Sequence, residues 1–158
     1  DRSWEFVGSY QGAVGCSAFM RTLDVFVLPS YAEGTSKSVI EAMAHGIPII
    51  TTTVGGLPDL LAKEAGILVP AGDSSALADA MHLLASDNML RAQMGKAARE
   101  RYLRLFAPDA VLPMLLTTYL RLVGAPPSSS SNGHHPWSVN DNGHGLALDH
   151  IAVASGAK

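Results

Sequence analysis

The chain has 158 residues, of which 47% are hydrophobic and 16% charged, and its formal net charge is −3 at pH 7. This length predicts one domain with a core of ordinary size, and the weakly acidic balance gives no electrostatic footprint for nucleic acid or an anionic membrane. The single cysteine, Cys16, excludes an internal disulfide and a multi-cysteine metal site, and we expect it to be a buried thiol.

The start of the sequence indicates that this chain is a piece of a longer protein. It opens at Asp1 rather than Met, and a strand pattern is already present over residues 4–8. Residues 12–22 predict a helix, and residues 24–28 predict an apolar strand of the kind buried on both faces of a parallel sheet. No apolar run approaches the roughly 20 residues of a membrane span and no signal peptide is visible, which favours a cytoplasmic location.

Helices and strands keep alternating along the middle of the chain. The pattern predicts a helix, a strand, a short helix and a strand over residues 37–44, 48–51, 58–61 and 66–70. His45 and Gly46 end the first of these helices, with glycine at the left-handed cap position. This alternation predicts an α/β fold, a Rossmann-like parallel sheet with flanking helices. Doubly wound sheets usually have about six strands, so we expect part of the sheet to be missing.

Three longer helices close the predicted domain. Asp73 caps the first, whose apolar face contains Ala76, Leu77, Ala80, Met81 and Leu84. The second covers residues 88–105, with a stripe of Leu90, Met94, Ala98, Tyr102 and Leu105. The third covers residues 109–123, with a restart at Pro113 as one alternative. We expect three aromatic groups to pack between helices or in the core: Tyr102, Phe106 and Tyr119.

The composition changes after Gly124. Residues 125–158 are rich in Pro, Ser, Gly and Asn and have no apolar periodicity, so they predict a low-complexity, disordered tail. The predicted partial Rossmann-like domain therefore covers residues 1–124. We expect a cut after Gly124 to leave the melting temperature almost unchanged.

Two carboxylates bracket a polar run between a predicted strand and a predicted helix, at Glu33 and Glu41. Such a loop places unpaired backbone N–H groups and a positive helix end at the carboxyl edge of a sheet, where open parallel sheets bind ligands. The carboxylates can accept bonds from hydroxyls while the helix start binds an anion, and a sugar nucleotide carries both kinds of group. No GxGxxG or Walker sequence supports a nicotinamide or P-loop site.

Each carboxylate also has another interpretation. Ser38 and Glu41 fit the S-x-x-E capping box, in which the glutamate merely closes the helix start. Glu33 fits equally well as a solvated loop carboxylate. A carboxylate pair is also the catalytic apparatus of glycosidases, although that interpretation leaves the anion site at the helix start unexplained.

A longer pattern around this loop resembles the C-terminal half of glycosyltransferase family 4 enzymes. It covers roughly residues 4–123 and is carried by residues 24–30, 33–34, 41–50, 54–59 and 66–73. The resemblance implies the GT-B architecture, in which two Rossmann-like domains face each other across a cleft. It also implies a retaining glycosyltransferase of the hexosyltransferase type. Its donor would be a UDP-, GDP- or ADP-sugar, its acceptor a hydroxyl, and it would need neither a further cofactor nor a metal.

The resemblance assigns roles to the matching residues. The E-x7-E motif of the family falls on Glu33 and Glu41: Glu33 would be the catalytic-site carboxylate that contacts hydroxyls of the transferred sugar, and Glu41 would hold the ribose. Backbone N–H groups of three residues would meet the distal phosphate: Gly34, Thr35 and Ser36. Lys37 is a further candidate for a phosphate contact, although a surface role is the commoner fate of a lysine.

The family's basic pair and its acceptor-binding domain would precede Asp1, so we expect this chain alone not to catalyse. Membrane association would come only through those missing parts. A non-catalytic nucleotide-sugar-binding or regulatory module is the alternative function. Gly55-Gly56 either lines the donor cleft or only turns the chain. His45 lies at a helix end, where it suits a cationic or a capping role.

Overall fold

A computed structural model of the chain describes residues 8, 12–61 and 64–124. These residues contain a three-stranded parallel sheet and six helices, which confirms the predicted α/β class. The chain divides into two compact units, Asp1–Tyr119 and Leu120–Lys158. The described part of the second unit consists of residues 120–124. The predicted strand at residues 4–8 falls almost wholly outside the described residues, as does the predicted tail at 125–158.

The described elements follow the predicted order. They are α1 Gly12–Met20, β1 Phe26–Leu28, α2 Lys37–Ala44, β2 Ile49–Thr52, α3 Leu57–Leu61, β3 Gly66–Val69, α4 Ser74–Ser86, α5 Asn88–Leu105 and α6 Pro108–Leu122. Their ends agree with the predicted ends to within about two residues, the usual scatter of such boundaries. Helix α6 continues through Pro113 without a restart. Among the described residues, no helix is long and apolar enough to cross a membrane.

Strand β2 lies between β1 and β3, and both pairings are parallel. All four residues of β2 are buried, whereas the three residues of β1 are only partly buried. The prediction of β1 as a strand buried on both faces is therefore wrong for the described sheet. The reason is position, because β1 lies at an edge of this sheet and β2 takes the centre.

The core of the described residues consists of two hydrophobic clusters, one on each face of the sheet. Successive residues of a strand point to opposite faces, so Ile49 lies in the first cluster and Ile50 in the second. The first cluster contains residues of α1, α2, α3 and α5, including Cys16 at 6% exposure, which confirms the buried thiol. The second contains Ala80 and Leu84 of α4.

Three apolar residues that were predicted to pack are exposed: Met81, Leu105 and Tyr119. Met81 is 48% exposed although its neighbour Ala80 is buried, so it lies at the margin of the packed face of α4. Leu105 ends α5, where Phe106 packs against the first cluster instead. Tyr119 belongs to α6, in which no residue is buried.

Helix α5 packs on the C-terminal end of α2. Gly95 allows this approach, because a Cβ at that position would overlap the carbonyl oxygen of Gly46. The Arg99 guanidinium donates a hydrogen bond to the carbonyl oxygen of Ala44, one of the last carbonyls of α2. Gly46 has φ +69°, the predicted left-handed cap. The C-terminal end of α2 is thus held by α5, and its N-terminal end carries the candidate site.

Candidate functional site

The candidate site lies at the carboxyl edge of the sheet. The segment 29–36 leaves the end of β1 and leads into α2, and the segments 53–56 and 70–73 leave the ends of β2 and β3. Because all three strands are parallel, their carboxyl ends meet at the same edge. This is the edge at which open α/β sheets bind ligands.

Two buried threonines of β2 hold the chain as it leaves β1. The Thr51 hydroxyl donates to the carbonyl oxygen of Leu28 at 2.8 Å. The Thr52 hydroxyl donates to the carbonyl oxygen of Ser30 at 2.6 Å. The first bond lies at Leu28, the last paired residue of β1, and the second continues the link between the two strands beyond it.

A glycine turn after β2 contacts the same loop. Gly55 has φ +54°, and a Cβ there would overlap the carbonyl oxygen of Glu33. A Cβ on Gly56 would lie 3.1 Å from the carbonyl oxygen of Gly34. The predicted turn at Gly55-Gly56 is confirmed, and it packs backbone to backbone on the residues that follow β1.

Glu33 is half-buried and has a specific partner. The Ser30 hydroxyl donates to its Oε1 atom at 2.8 Å. Glu33 is therefore held at one carboxylate oxygen rather than freely solvated in its loop.

Glu41 does not form a capping box. Helix α2 begins at Lys37 with Ser36 as its N-cap, so Ser38 lies inside the helix and Glu41 is too far along it to close the start. Its Oε1 atom lies 3.7 Å from Lys37 Nζ, with the lysine side chain 90% and the glutamate side chain 27% exposed. Within the described residues no hydrogen bond or ion pair joins Glu41 to Glu33.

The start of α2 is open. The Ser36 side chain makes no cap bond to the backbone, and its hydroxyl lies 3.1 Å from that of Ser38. The first helical bond runs from the Ile40 N–H to the Ser36 carbonyl oxygen. In the part of the chain that the structure describes, three consecutive backbone N–H groups have no acceptor: those of Lys37, Ser38 and Val39. Unpaired N–H groups and the helix dipole together favour an anion here.

His45 braces the other end of α2. Its Nδ1 atom lies 2.8 Å from the Glu41 carbonyl oxygen, which can only accept, so Nδ1 carries the proton. Its Nε2 atom lies 2.9 Å from the Ser17 hydroxyl oxygen of α1. Both ring nitrogens thus have a hydrogen-bond partner at the end of α2, which agrees with the predicted capping role.

A cleft of about 250 Å³ lies between the ends of the strands and α4, lined in part by Tyr31, Thr52 and Pro70. Tyr31 is 79% exposed and its ring lies against Gly72. Sequence reasoning did not assign a role to the side chains of Ser30, Tyr31 or Thr52. Their place at the carboxyl ends of predicted strands was the signal that could have found them.

Residues 2–87 match the sequence family described as glycosyl transferases group 1. The chain belongs to this family. It is similar to the capsular polysaccharide biosynthesis glycosyltransferase CapM of Staphylococcus aureus, with 34% identity over 103 residues that cover 65% of this chain and 27% of CapM. The chain therefore spans about a quarter of the length of that relative.

Solved glycosyltransferase structures share the fold of this family member. Sucrose-phosphate synthase from Thermosynechococcus elongatus matches with a TM-score of 0.64 and 37% identity, over 68% of this chain and 27% of that one. Anabaena Alr3699/HepE in complex with UDP-glucose matches with a TM-score of 0.61 and 22% identity, over 65% and 29% of the two chains. These neighbours have the GT-B architecture, so the described domain is a partial Rossmann-like domain of that fold.

Proposed function

We propose that this chain forms the donor-binding part of a retaining glycosyltransferase, which transfers a sugar from a nucleotide-diphosphate sugar to an acceptor hydroxyl. The donor would bind where the loop after β1 enters α2. The observation that carries the proposal is the open start of α2, whose unpaired N–H groups lie just after a carboxylate held by Ser30. Membership of the glycosyl transferases group 1 family supports the same activity.

The helix start would hold the diphosphate. Gly34 and Thr35 are exposed, and Ser36 leads directly into the open turn. Backbone amides at a helix start bind phosphate without a charged side chain, because the N–H groups and the dipole act together. Two negative phosphates there would take the place that an N-cap side chain occupies in an ordinary helix.

Glu33 would contact the transferred sugar. Its Oε1 atom already accepts a bond from Ser30, which leaves Oε2 and one further lone pair of Oε1 as acceptors. A carboxylate can accept from two neighbouring sugar hydroxyls at once, and such charge-assisted bonds are stronger than neutral ones. The half-buried position also limits competition from water.

Glu41 would hold the two ribose hydroxyls of the nucleotide, and Lys37 would contact phosphate. The pair that these residues form is largely exposed on the lysine side, and exposed ion pairs contribute only about 0–1 kcal/mol. A bound diphosphate can therefore draw Lys37 away from Glu41 at little cost. The freed carboxylate then has both oxygens available for the ribose.

The proposed chemistry asks little covalent work of the protein. The leaving diphosphate would help to take the proton of the acceptor hydroxyl on the same face of the sugar, which retains the anomeric configuration. The protein would contribute by positioning the donor and stabilising charge on the phosphates. UDP-glucose is a suitable first donor to test because HepE is seen with it. GDP- and ADP-glucose belong in the same test.

The test is an NMR titration of the isotope-labelled 158-residue chain with UDP, GDP and ADP, then with their glucose conjugates. We expect amide shifts centred on residues 34–41, with one preferred base. Millimolar affinity is sufficient for this measurement. A folded spectrum that responds to none of these ligands would contradict the proposal, as would shifts confined to residues far from α2.

A further inference from the structure

A chain of two hydrogen bonds joins the buried end of β2 to the Glu33 carboxylate. Thr52, 2% exposed, donates from its hydroxyl to the carbonyl oxygen of Ser30 at 2.6 Å. Ser30 in turn donates from its own hydroxyl to Glu33 Oε1 at 2.8 Å. Ser30 is thus held through its backbone and holds Glu33 through its side chain.

The buried position of Thr52 makes the first bond persistent. A hydroxyl that is shielded from water cannot exchange its acceptor for solvent, so loss of the bond would leave a buried donor unsatisfied. The second bond restrains the long side chain of Glu33, which would otherwise sample several rotamers on a loop. Together the two bonds fix a flexible carboxylate to the rigid centre of the sheet.

We propose that Ser30 and Thr52 are positioning residues, which orient the Glu33 carboxylate toward the transferred sugar. This inference rests on the proposed function, because it concerns the sugar end of the same donor site. Neither residue is expected to contact the diphosphate. Their loss should therefore weaken recognition of the sugar and leave recognition of the nucleotide unchanged.

Thr51 offers a matched control within the same strand. It is also a buried threonine of β2, and its hydroxyl also donates to a carbonyl oxygen at the end of β1. That acceptor is Leu28, whose side chain is apolar and has no link to Glu33. Thr51→Val and Thr52→Val thus remove the same kind of bond, and only the second interrupts the connection to the carboxylate.

The experiment compares four variants of the 158-residue chain with the unmodified protein: Ser30→Ala, Thr52→Val, Thr51→Val and Thr52→Ser. Dissociation constants for UDP and UDP-glucose, measured by NMR titration, give the ratio that reports on the sugar contact. The carboxyl ¹³C shift of Glu33, measured without ligand, reports on the hydrogen-bonded connection itself. Urea unfolding records any loss of stability.

We expect Ser30→Ala and Thr52→Val to weaken UDP-glucose relative to UDP by about fivefold, the size expected for one disturbed hydrogen bond, and to move the Glu33 carboxyl resonance. Thr52→Ser keeps the hydroxyl and should restore both readouts. Thr51→Val should lose stability like Thr52→Val and leave both readouts unchanged.

Three results would overturn the inference. Equal behaviour of Thr51→Val and Thr52→Val would make Thr52 purely structural. Equal weakening of UDP and UDP-glucose in Ser30→Ala would mean that the whole site is disturbed rather than its sugar end. If the unmodified chain responds to no nucleotide or nucleotide sugar, the proposed function fails and the positioning role fails with it. In that case the Glu33 resonance still shows separately whether the connection exists.

Discussion

Two kinds of helix start occur in this domain. Helices α4 and α5 begin at aspartates, and the carboxylates of Asp73 and Asp87 each accept a bond from the backbone N–H three residues ahead, at 2.9 Å. Helix α2 begins at Ser36, whose hydroxyl turns to Ser38 instead. A helix start has three or four unpaired N–H groups. A side-chain cap satisfies one of them in α4 and one in α5, whereas Ser36 satisfies none in α2.

The two kinds of helix start favour different properties: a capped start favours stability, and an open start favours binding of an anion. A carboxylate cap stabilises a helix and at the same time occupies the place where an anion would bind. An open start gives up that stabilisation and keeps the place available. Helix α2 is held by other means, since α5 packs on its C-terminal end and the glycine turn supports the loop before it.

The largest expected effect is a loss of stability, and it should come from disturbing the glycine turn that supports the loop before α2. Gly55→Ala forces a side chain onto the Glu33 carbonyl oxygen at a positive φ. We therefore expect a loss of about 3 kcal/mol or more in the free energy of unfolding. Gly34→Ala is the control, because a Cβ there would meet no atom within 4 Å. Similar unfolding curves for the two variants in urea would show that the turn does not support the loop.

The next effect comes from giving α2 the cap that α4 has. In Ser36→Asp the new carboxylate should accept from the Val39 N–H, occupy the open turn and repel phosphate, which we expect to lower UDP affinity by about tenfold or more. Ser36→Asn provides an uncharged cap. It therefore shows how much of the loss of affinity comes from occupancy of the open turn rather than from repulsion of phosphate. NMR titration gives both affinities. Unchanged UDP binding in the aspartate variant would remove the helix start from the donor site.

The converse change removes the carboxylate cap of α4, beside the cleft at the ends of the strands. Asp73→Ala should cost about 1 kcal/mol of stability, the usual value of an N-cap, and leave nucleotide binding unchanged. Asp73→Asn keeps an acceptor and should retain most of that stability. Thermal unfolding together with one UDP titration tests both statements. A loss of UDP affinity in Asp73→Ala would extend the site to α4.

The smallest expected changes in stability concern two similar ion pairs, which should differ in their effect on UDP binding. Lys37–Glu41 in α2 and Lys96–Glu100 in α5 have the same spacing, with N–O distances of 3.7 and 3.9 Å. Glu41→Gln and Glu100→Gln should each change stability by no more than about 0.5 kcal/mol. Only Glu41→Gln should weaken UDP binding, by several-fold. Equal affinities in the two variants would exclude the ribose role of Glu41.

Regular elements were predictable because their signals are local. The apolar run of β1, the glycine after α2 and the cap at Asp73 each depend on a few neighbouring residues, and the structure agrees with the predicted bounds to within about two residues. Burial was less predictable, as β1 shows. Which strand takes the centre of a sheet depends on pairings between distant segments.

For the candidate site, the outcome differs between local and distant signals. Glu33 and Glu41 are predicted as site residues from their place beside a helix start. The capping-box interpretation of Glu41 is wrong, because the N-cap is Ser36 rather than Ser38. The bond from Thr52 to Ser30 and the contact of Gly55 with Glu33 join segments that are distant in the sequence. No local pattern encodes such contacts, because a threonine in a strand is equally well explained by its strand preference.

The buried thiol of Cys16 makes it possible to measure how firmly α1 packs in the first hydrophobic cluster. Cys16 lies in the first hydrophobic cluster at 6% exposure and is a free cysteine. A thiol reagent can modify it only after α1 leaves that cluster. Its labelling rate therefore gives the free energy of local opening for one helix, separately from global unfolding. His45 links α1 to α2 through Ser17. Slower labelling in the presence of a nucleotide would therefore show that binding at the start of α2 stabilises the packing of α1 near the other end of that helix.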